Sequence, residues 1–217
     1  MIRNYNVDII KLKQEQERLA KSLEIKDSID FSLIERIGGC DVAFFKNRIV
    51  AVVVVLDKSL EIIEQVYSTN IVKFPYVPGF EAYREMPEIL NAFNKIQEKP
   101  DILFVPSHGI DHPRLGMASH ISLAVQIPTI GIAKKPIPNS KISGEDIIKE
   151  KKIVGKLVTL KPGSKPVVIS PGNLITLKTA IDLTKKFTIP PHKMPEPLHI
   201  ASRYADKIIS EIRPKEQ

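Results

Sequence analysis

The stretch IVAVVVVL, residues 49–56, is apolar at every position. Its β-branched residues favour an extended chain, and successive side chains of a strand point to opposite faces. Both faces of this strand must therefore be covered, which makes it a central strand with packed layers on either side. The turn-like Lys46-Asn47-Arg48 precedes it and Asp57-Lys58-Ser59 follows it. Each separates it from a further β-rich run, so the region predicts a three-stranded antiparallel meander.

The pattern changes after the meander. A loop punctuated by Pro and Gly, PYVPGF, leads into a helix. The short apolar run DILFVP then predicts a strand, GMASHISLAVQ a helix and PTIGIAKK another strand. Alternating strands and helices imply parallel pairing through right-handed crossovers. Beyond a polar region at 136–152, KIVGKLVTL and KPVVIS predict a hairpin turning at Pro162-Gly163. Two helices close the chain, NLITLKTAIDLTKKF and PEPLHIASRYADKIISEI. At the other end, Ile9, Leu12, Gln16, Leu19 and Leu23 recur at helical spacing over residues 8–25. The expected fold is α/β, a ribonuclease H-like mixed sheet of three antiparallel strands followed by β-α-β-α-β, flanked by helices. No long Gly/Ser-rich linker divides residues 1–217, so one domain is expected.

Composition narrows the function. A net charge of +7 favours a polyanionic partner such as nucleic acid, although a generally Lys-rich chain would also be basic. Cys40 is the single cysteine, which excludes an internal disulfide and a zinc site built from cysteines. No apolar run reaches the roughly 18 residues that span a bilayer. The charged, helical start MIRNYNVDIIKLKQEQERLAK does not read as a secretory signal. A soluble, cytoplasmic protein without a membrane partner is expected.

Several residues could carry chemistry. Asp41 interrupts an apolar strand, GGCDVAFF, behind two glycines that allow a close approach; a buried carboxylate needs a partner or a metal. Glu85 lies in YREMP, with Glu81 as an alternative in the same segment. LFVPSHGIDHPR turns from an apolar strand to a polar cluster containing His112, and Lys134 ends the strand PTIGIAK, where it could pair with a phosphate oxygen. Each has a plainer reading taken alone: a structural strand carboxylate, a surface pair of Arg84 and Glu85, a solvated loop histidine, an exposed lysine.

Taken together and in order, these segments resemble the endonuclease V family, repair nucleases that act at deaminated bases, chiefly hypoxanthine. GGCDVAF resembles the family's first strand. KFPYVPGFEAYREMPEIL carries its most specific signature, and KPDILFVPSHGIDHPRLGMASH, IPTIGIAKK, ISPGNLITLKTA and PEPLHIASRYA are similar to its later segments. The resemblance implies Asp41 and Glu85 as ligands of Mg²⁺, with Mn²⁺ as a substitute. It places His112 and Lys134 near the cleaved phosphate and makes Tyr76 the wedge that fills the gap left by a flipped base. Pro78, Gly79, Arg84 and Arg114 complete the implied nucleic-acid-binding set. The implied partner is DNA, or RNA, containing deaminated bases, bound by a monomer.

The chain departs from the family at two places. Pro106-Ser107 stands where the pattern has Asp-Gly after the strand, and Asn173-Leu174 where it has His-Arg. The loop after Pro113-Arg114 is about one residue short, which makes Asp111 a candidate replacement ligand. Proline can neither ionise nor donate a hydrogen bond, and Asn, unlike His, cannot carry a proton near neutral pH. Two readings remain open on the sequence: a nuclease of attenuated activity with unusual ligands, and a relative that binds lesions without cutting. The strand ends at Asp41 and Val105 are expected to lie side by side.

Overall fold

The computed structural model describes residues 7–213. The helical reading of residues 1–6 lies outside them. The meander forms as the apolar run demands: β1 (Arg36–Phe45), β2 (Arg48–Asp57) and β3 (Ile62–Ile71) pair antiparallel in sequence order. Every residue from Ile49 to Leu56 is buried. Alternation splits the strand between two layers. Val50, Val52 and Val54 pack on Ala201, Ala205 and Ile208 of α5 (Glu196–Ile212). Ala51, Val53 and Val55 pack on Ala82, Ile89 and Phe93 of α2 (Glu81–Phe93).

β4 (Ile102–Val105) then lies parallel to β1, and after α3 (Met117–Val125) β5 (Thr129–Ala133) lies parallel to β4. This is the expected β-α-β-α-β continuation. Gly39 pairs with Phe104, so the parallel register brings Asp41 alongside Pro106, as expected for the two strand ends. Pairing with β4 stops at Gly39, whereas β1 continues against β2 to Phe45. The sheet therefore opens a gap beside Asp41.

The polar region holds more than a connection. β6 (Lys141–Ser143) and β7 (Asp146–Lys149) form a hairpin, joined by β8 (Lys152–Val158) and β9 (Val167–Asn173). β9 pairs antiparallel with β5, which completes a nine-stranded sheet in the order β3-β2-β1-β4-β5-β9-β8-β7-β6. Ile142 opposes Ile147 in that hairpin, and only Ile147 is buried; one buried apolar contact is too weak a pattern to read from the sequence. α4 (Leu177–Lys186) packs on β9, with Ala180 and Leu183 in a core shared with Phe104 and Ile169.

The first helix, α1 (Ile9–Ala20), is shorter than its apolar spacing predicts. Asp8 caps it by accepting a hydrogen bond from Lys11 N. Past Ser22 the backbone turns to meet β9: Glu24 N donates to Asn173 Oδ1 at 2.7 Å, and Leu174 N donates to Glu24 O at 2.7 Å. Those tertiary hydrogen bonds replace the helical ones.

Candidate active site

A cleft of ≈ 1160 Å³ opens where β1, β4 and β5 stop pairing. Asp41, Pro106, His112 and Lys134 line it, as do Tyr76 and Arg114. Asp41 Oδ1 accepts from the Val42 amide at 2.8 Å. Burial holds its carboxyl above the usual range, opposed by a hydrogen bond from Ser202 and by the nearby Lys134 ammonium. Asp206 on the same helix adds a further negative charge. Glu85, on the second turn of α2, is also partly buried. Burial, with Glu81 and Asp41 as charged neighbours, pushes its carboxyl up to about 7. A carboxyl pair short of countercharge in this way suits a cation, and hard oxygen donors fit Mg²⁺ or Mn²⁺. Among the described residues there is no group of three or more His, Cys, Asp or Glu side chains arranged to hold a metal.

The glycines ahead of Asp41 do permit a close approach, but of the protein to itself. A Cβ on Gly39 would come within 2.2 Å of Pro197 O. The start of α5 presses there against β1, which brings Ser202 to Asp41. Sequence reading missed Ser202 and Asp206, although their spacing of four puts both on one face of that helix.

The loop Pro75–Phe80 is the second part of the site. Phe80 N bonds to Val77 O at 3.0 Å around Pro78 and Gly79, and Gly79 has φ +81°. Proline at the second position and a left-handed glycine at the third are what a type II turn requires. Tyr76 protrudes into the cleft and is 66% exposed. Arg84 Nη1 donates to Phe74 O at 2.8 Å and its guanidinium stacks on Phe44. Arg84 thus fastens the Pro75–Phe80 loop, and it does not line the cleft.

Gln16 of α1 clamps this loop to the segment after β4. The side chain is buried, and its Nε2 donates to Gly79 O at 3.1 Å and to Leu115 O at 3.4 Å. Its Oε1 accepts from Arg114 Nε at 2.6 Å, and Arg114 Nη2 reaches Gly79 O at 3.3 Å. His112 is buried beside Gly79: a Cβ on Gly79 would lie 3.6 Å from His112 Nε2. His112 Nδ1 accepts from Arg114 N at 3.1 Å. Burial first, then Arg114 and His108, lower His112 to about 4. It is therefore neutral near pH 7, with its proton on Nε2.

Two residues expected at the site belong elsewhere. The Asp111 carboxylate is 2% exposed and is taken up within its own segment; Oδ2 contacts His108 Nδ1 at 2.5 Å and Oδ1 accepts from Gly109 N at 2.9 Å. The Asp111 amide donates to Ser170 Oγ at 3.1 Å. These bonds hold the side chain away from a ligand position, and Asp111 does not line the cleft. Asn173 pairs with Thr129, at the opposite end of β5 from Lys134. Its carbonyl caps Glu24, so of the two departures only Pro106 faces the cleft. Unanticipated by the sequence, His192 and His199 also line the cleft, stacked with ring centroids 3.6 Å apart.

The geometry has counterparts among known proteins. The endonuclease V of Bacillus subtilis superposes with a TM-score of 0.86 at 27% identity, covering 93% of this chain and 92% of its own. The catalytic domain of human endonuclease V gives 0.85 at 26% identity, covering 93% and 96%. Ciona intestinalis endonuclease V, solved in complex with a 24mer DNA containing an inosine, gives 0.87 at 24% identity over 94% of this chain and 99% of its own. By sequence, the endonuclease V of Thermosipho melanesiensis is 40% identical over 199 residues, 88% of this chain and 86% of that protein. That of Dictyoglomus turgidum is 38% identical over 204 residues, 90% and 88%. A family profile for endonuclease V matches residues 17–203, and with relatives this similar along nearly the whole chain, the protein belongs to the endonuclease V family.

Proposed function

We propose that this protein, read as a single endonuclease V-like domain, binds nucleic acid containing a deaminated base, chiefly hypoxanthine, and slowly hydrolyses a nearby phosphodiester. The observation that carries the reading is the meeting in one cleft of two parts: the protruding Tyr76 with Gly79 and His112, and the charge-starved Asp41, whose charged neighbour Glu85 lies outside the cleft lining. The Ciona relative captured with inosine-containing DNA supports the substrate class.

Each side chain has a role in this reading. Tyr76 stacks into the space a flipped base leaves, and its turn is braced by Pro75 and Pro78, which limit the backbone freedom lost on binding. His112, neutral with its proton on Nε2, offers a donor to the pocket, which matches the O6 and N7 acceptors of hypoxanthine. Arg114 and Gln16 hold Gly79 in place. Lys134 attracts the phosphate. Asp41 and Glu85 would hold Mg²⁺ or Mn²⁺, which when bound neutralises charge building on the phosphate and acidifies a water. Attenuation follows from Pro106, which lines the cleft beside Asp41 with no side-chain carboxylate to give a metal.

That same proline supports the second reading, a relative that recognises the lesion without cutting. Incubation with an inosine-containing DNA or RNA strand and either metal, scored for binding and nicking, separates the two. Slow metal-dependent nicking supports the nuclease; tight lesion-selective binding without nicking supports the binder; neither result sinks both.

A further inference from the structure

The segment after β4 has Pro106 beside Asp41, yet it carries a His–Asp pair two and five residues on. His108 lines the cleft with its side chain 20% exposed, while its partner Asp111 is sealed beneath it at 2%. The Asp111 carboxylate meets His108 Nδ1 at 2.5 Å. A carboxylate can only accept, so the neutral imidazole carries its proton on Nδ1 and keeps a free lone pair on Nε2. His112 is the opposite case: its Nδ1 already accepts from Arg114 N, so it serves as a fixed donor.

The backbone holding the pair leaves little freedom. His108 O accepts from Ala118 N at 3.1 Å, and Ile110 N donates to Pro171 O at 2.9 Å. A Cβ on Gly131 would fall 2.9 Å from His108 C, and one on Gly109 would fall 2.1 Å from Pro171 O. Lys149 Nζ ties the outer side by donating to Ile110 O at 2.6 Å and His112 O at 2.9 Å. The titratable and charged groups about the pair are Lys149 within the fold and the neutral His112 with Arg114 along the segment, while Asp41 and Lys134 line the same cleft. A histidine positioned by a buried carboxylate, rigid and presented to a cleft, is the arrangement of a proton carrier.

The geometry points to His108 as a catalytic base of this cleft, with Asp111 as its positioning residue. The inference rests on the reading that the cleft hydrolyses a phosphodiester. Nε2 takes a proton from the attacking water as the water oxygen bonds to phosphorus. The P–O bond to the leaving sugar oxygen breaks with its electron pair passing to that oxygen, which takes a proton from solvent. The imidazolium then returns its proton to solvent. The net change is addition of one water across one phosphodiester.

Three readouts on the full chain test this. Long-range ¹H–¹⁵N spectra of histidine-labelled protein, assigned with His108→Gln, should show the Nδ1–H form for His108, and Asp111→Asn should shift it towards a mixture. Single-turnover nicking of an inosine strand with Mg²⁺ or Mn²⁺, followed from pH 5 to 9, should fall on the order of 10²-fold in His108→Gln and lose its acidic limb, with strand binding retained. Asp111→Asn should lower the rate about 10-fold and displace that limb, and imidazole should partly restore His108→Ala. Urea unfolding checks each variant, and if Asp111→Asn does not fold, the spectra, His108→Gln and the imidazole rescue decide. An Nε2–H form, or a His108→Gln protein with the wild-type rate and pH profile, overturns the inference while leaving the nuclease intact. Wild-type protein that does not nick at all fails before any variant is made; it overturns the cleavage reading, and this inference with it.

Discussion

Glu85 should make the metal-free protein less stable as pH rises, by an amount its surroundings set. Its carboxyl is raised from the ordinary 4.5 to about 7 by burial, with Glu81 and Asp41 adding to the rise. Below pH 4.5 folded and unfolded chains both keep the proton. Between 4.5 and about 7 the folded state keeps it while the unfolded state releases it, so the native advantage is full below 4.5 and is lost as pH approaches 7. That interval corresponds to about 3 kcal/mol. Glu85 keeps some contact with solvent, which screens its neighbours, so about 2–3 kcal/mol is the expected effect. His112 acts in the opposite sense: lowered from 6.5 to about 4, it favours the folded state more as pH rises through that window. The two levels nearly cancel in the wild-type profile, and a difference measurement separates them. Urea unfolding of wild type and Glu85→Gln in EDTA, at steps from pH 4.5 to 7.5, should show the variant gaining about 2–3 kcal/mol on the wild type. Adding Mg²⁺ at pH 7.5 should stabilise the wild type more than the variant. A constant difference between the two proteins across the range refutes the reasoning, because Glu85 would then titrate alike in both states.

Tyr76→Ala should weaken binding to inosine-containing DNA by roughly 1–3 kcal/mol, the usual worth of a base stacked on an aromatic ring, with much less effect on ordinary duplex and none on the unfolding midpoint; fluorescence anisotropy on both DNAs checks it, and equal loss on both argues against a wedge. Gln16→Leu leaves Gly79 O and the Arg114 guanidinium short of a partner inside the protein, so it should cost about 1–3 kcal/mol by denaturation and reduce the preference for inosine-containing over ordinary strands. Pro106→Asp returns a carboxylate beside Asp41 and should raise metal-dependent nicking of an inosine strand. Asn173→His alone should leave nicking unchanged, since Asn173 sits at the far end of β5; a strand cut faster by Asn173→His would contradict the register.

The sheet was legible because its signals are strong and local. An eight-residue apolar run can only be a central strand, and the alternation after residue 80 can only be crossovers, so the placing of Asp41 beside Pro106 followed from order alone. What the sequence hid depends on contacts between distant segments. Arg84 reads as a surface charge or a phosphate contact, and nothing local reveals that Phe74 O and Phe44 claim it. Asp111 reads as a stray carboxylate near a lost ligand until Ser170 and Gly109 are seen to hold it. Ser202 and Asp206 come to Asp41 only because Gly39 lets α5 press in. Asn173 resembles a site residue by motif alone, and antiparallel register carries it to the other end of the strand.

The clamp made by Gln16 has a consequence for how occupancy of the cleft is felt elsewhere. α1 exposes most of its surface, and its buried contact is a polar side chain gripping Gly79 and Leu115; Tyr83 Oη adds a bond to Glu15 Oε2 at 2.9 Å. A helix anchored this way opens and closes cheaply, independent of the sheet. Any strand that orders the Gly79 turn also orders its clamp, and the two events share one free energy. Amide hydrogen exchange in residues 12–19 therefore acts as a gauge of the pocket read along the helix, slowing when a base is held there.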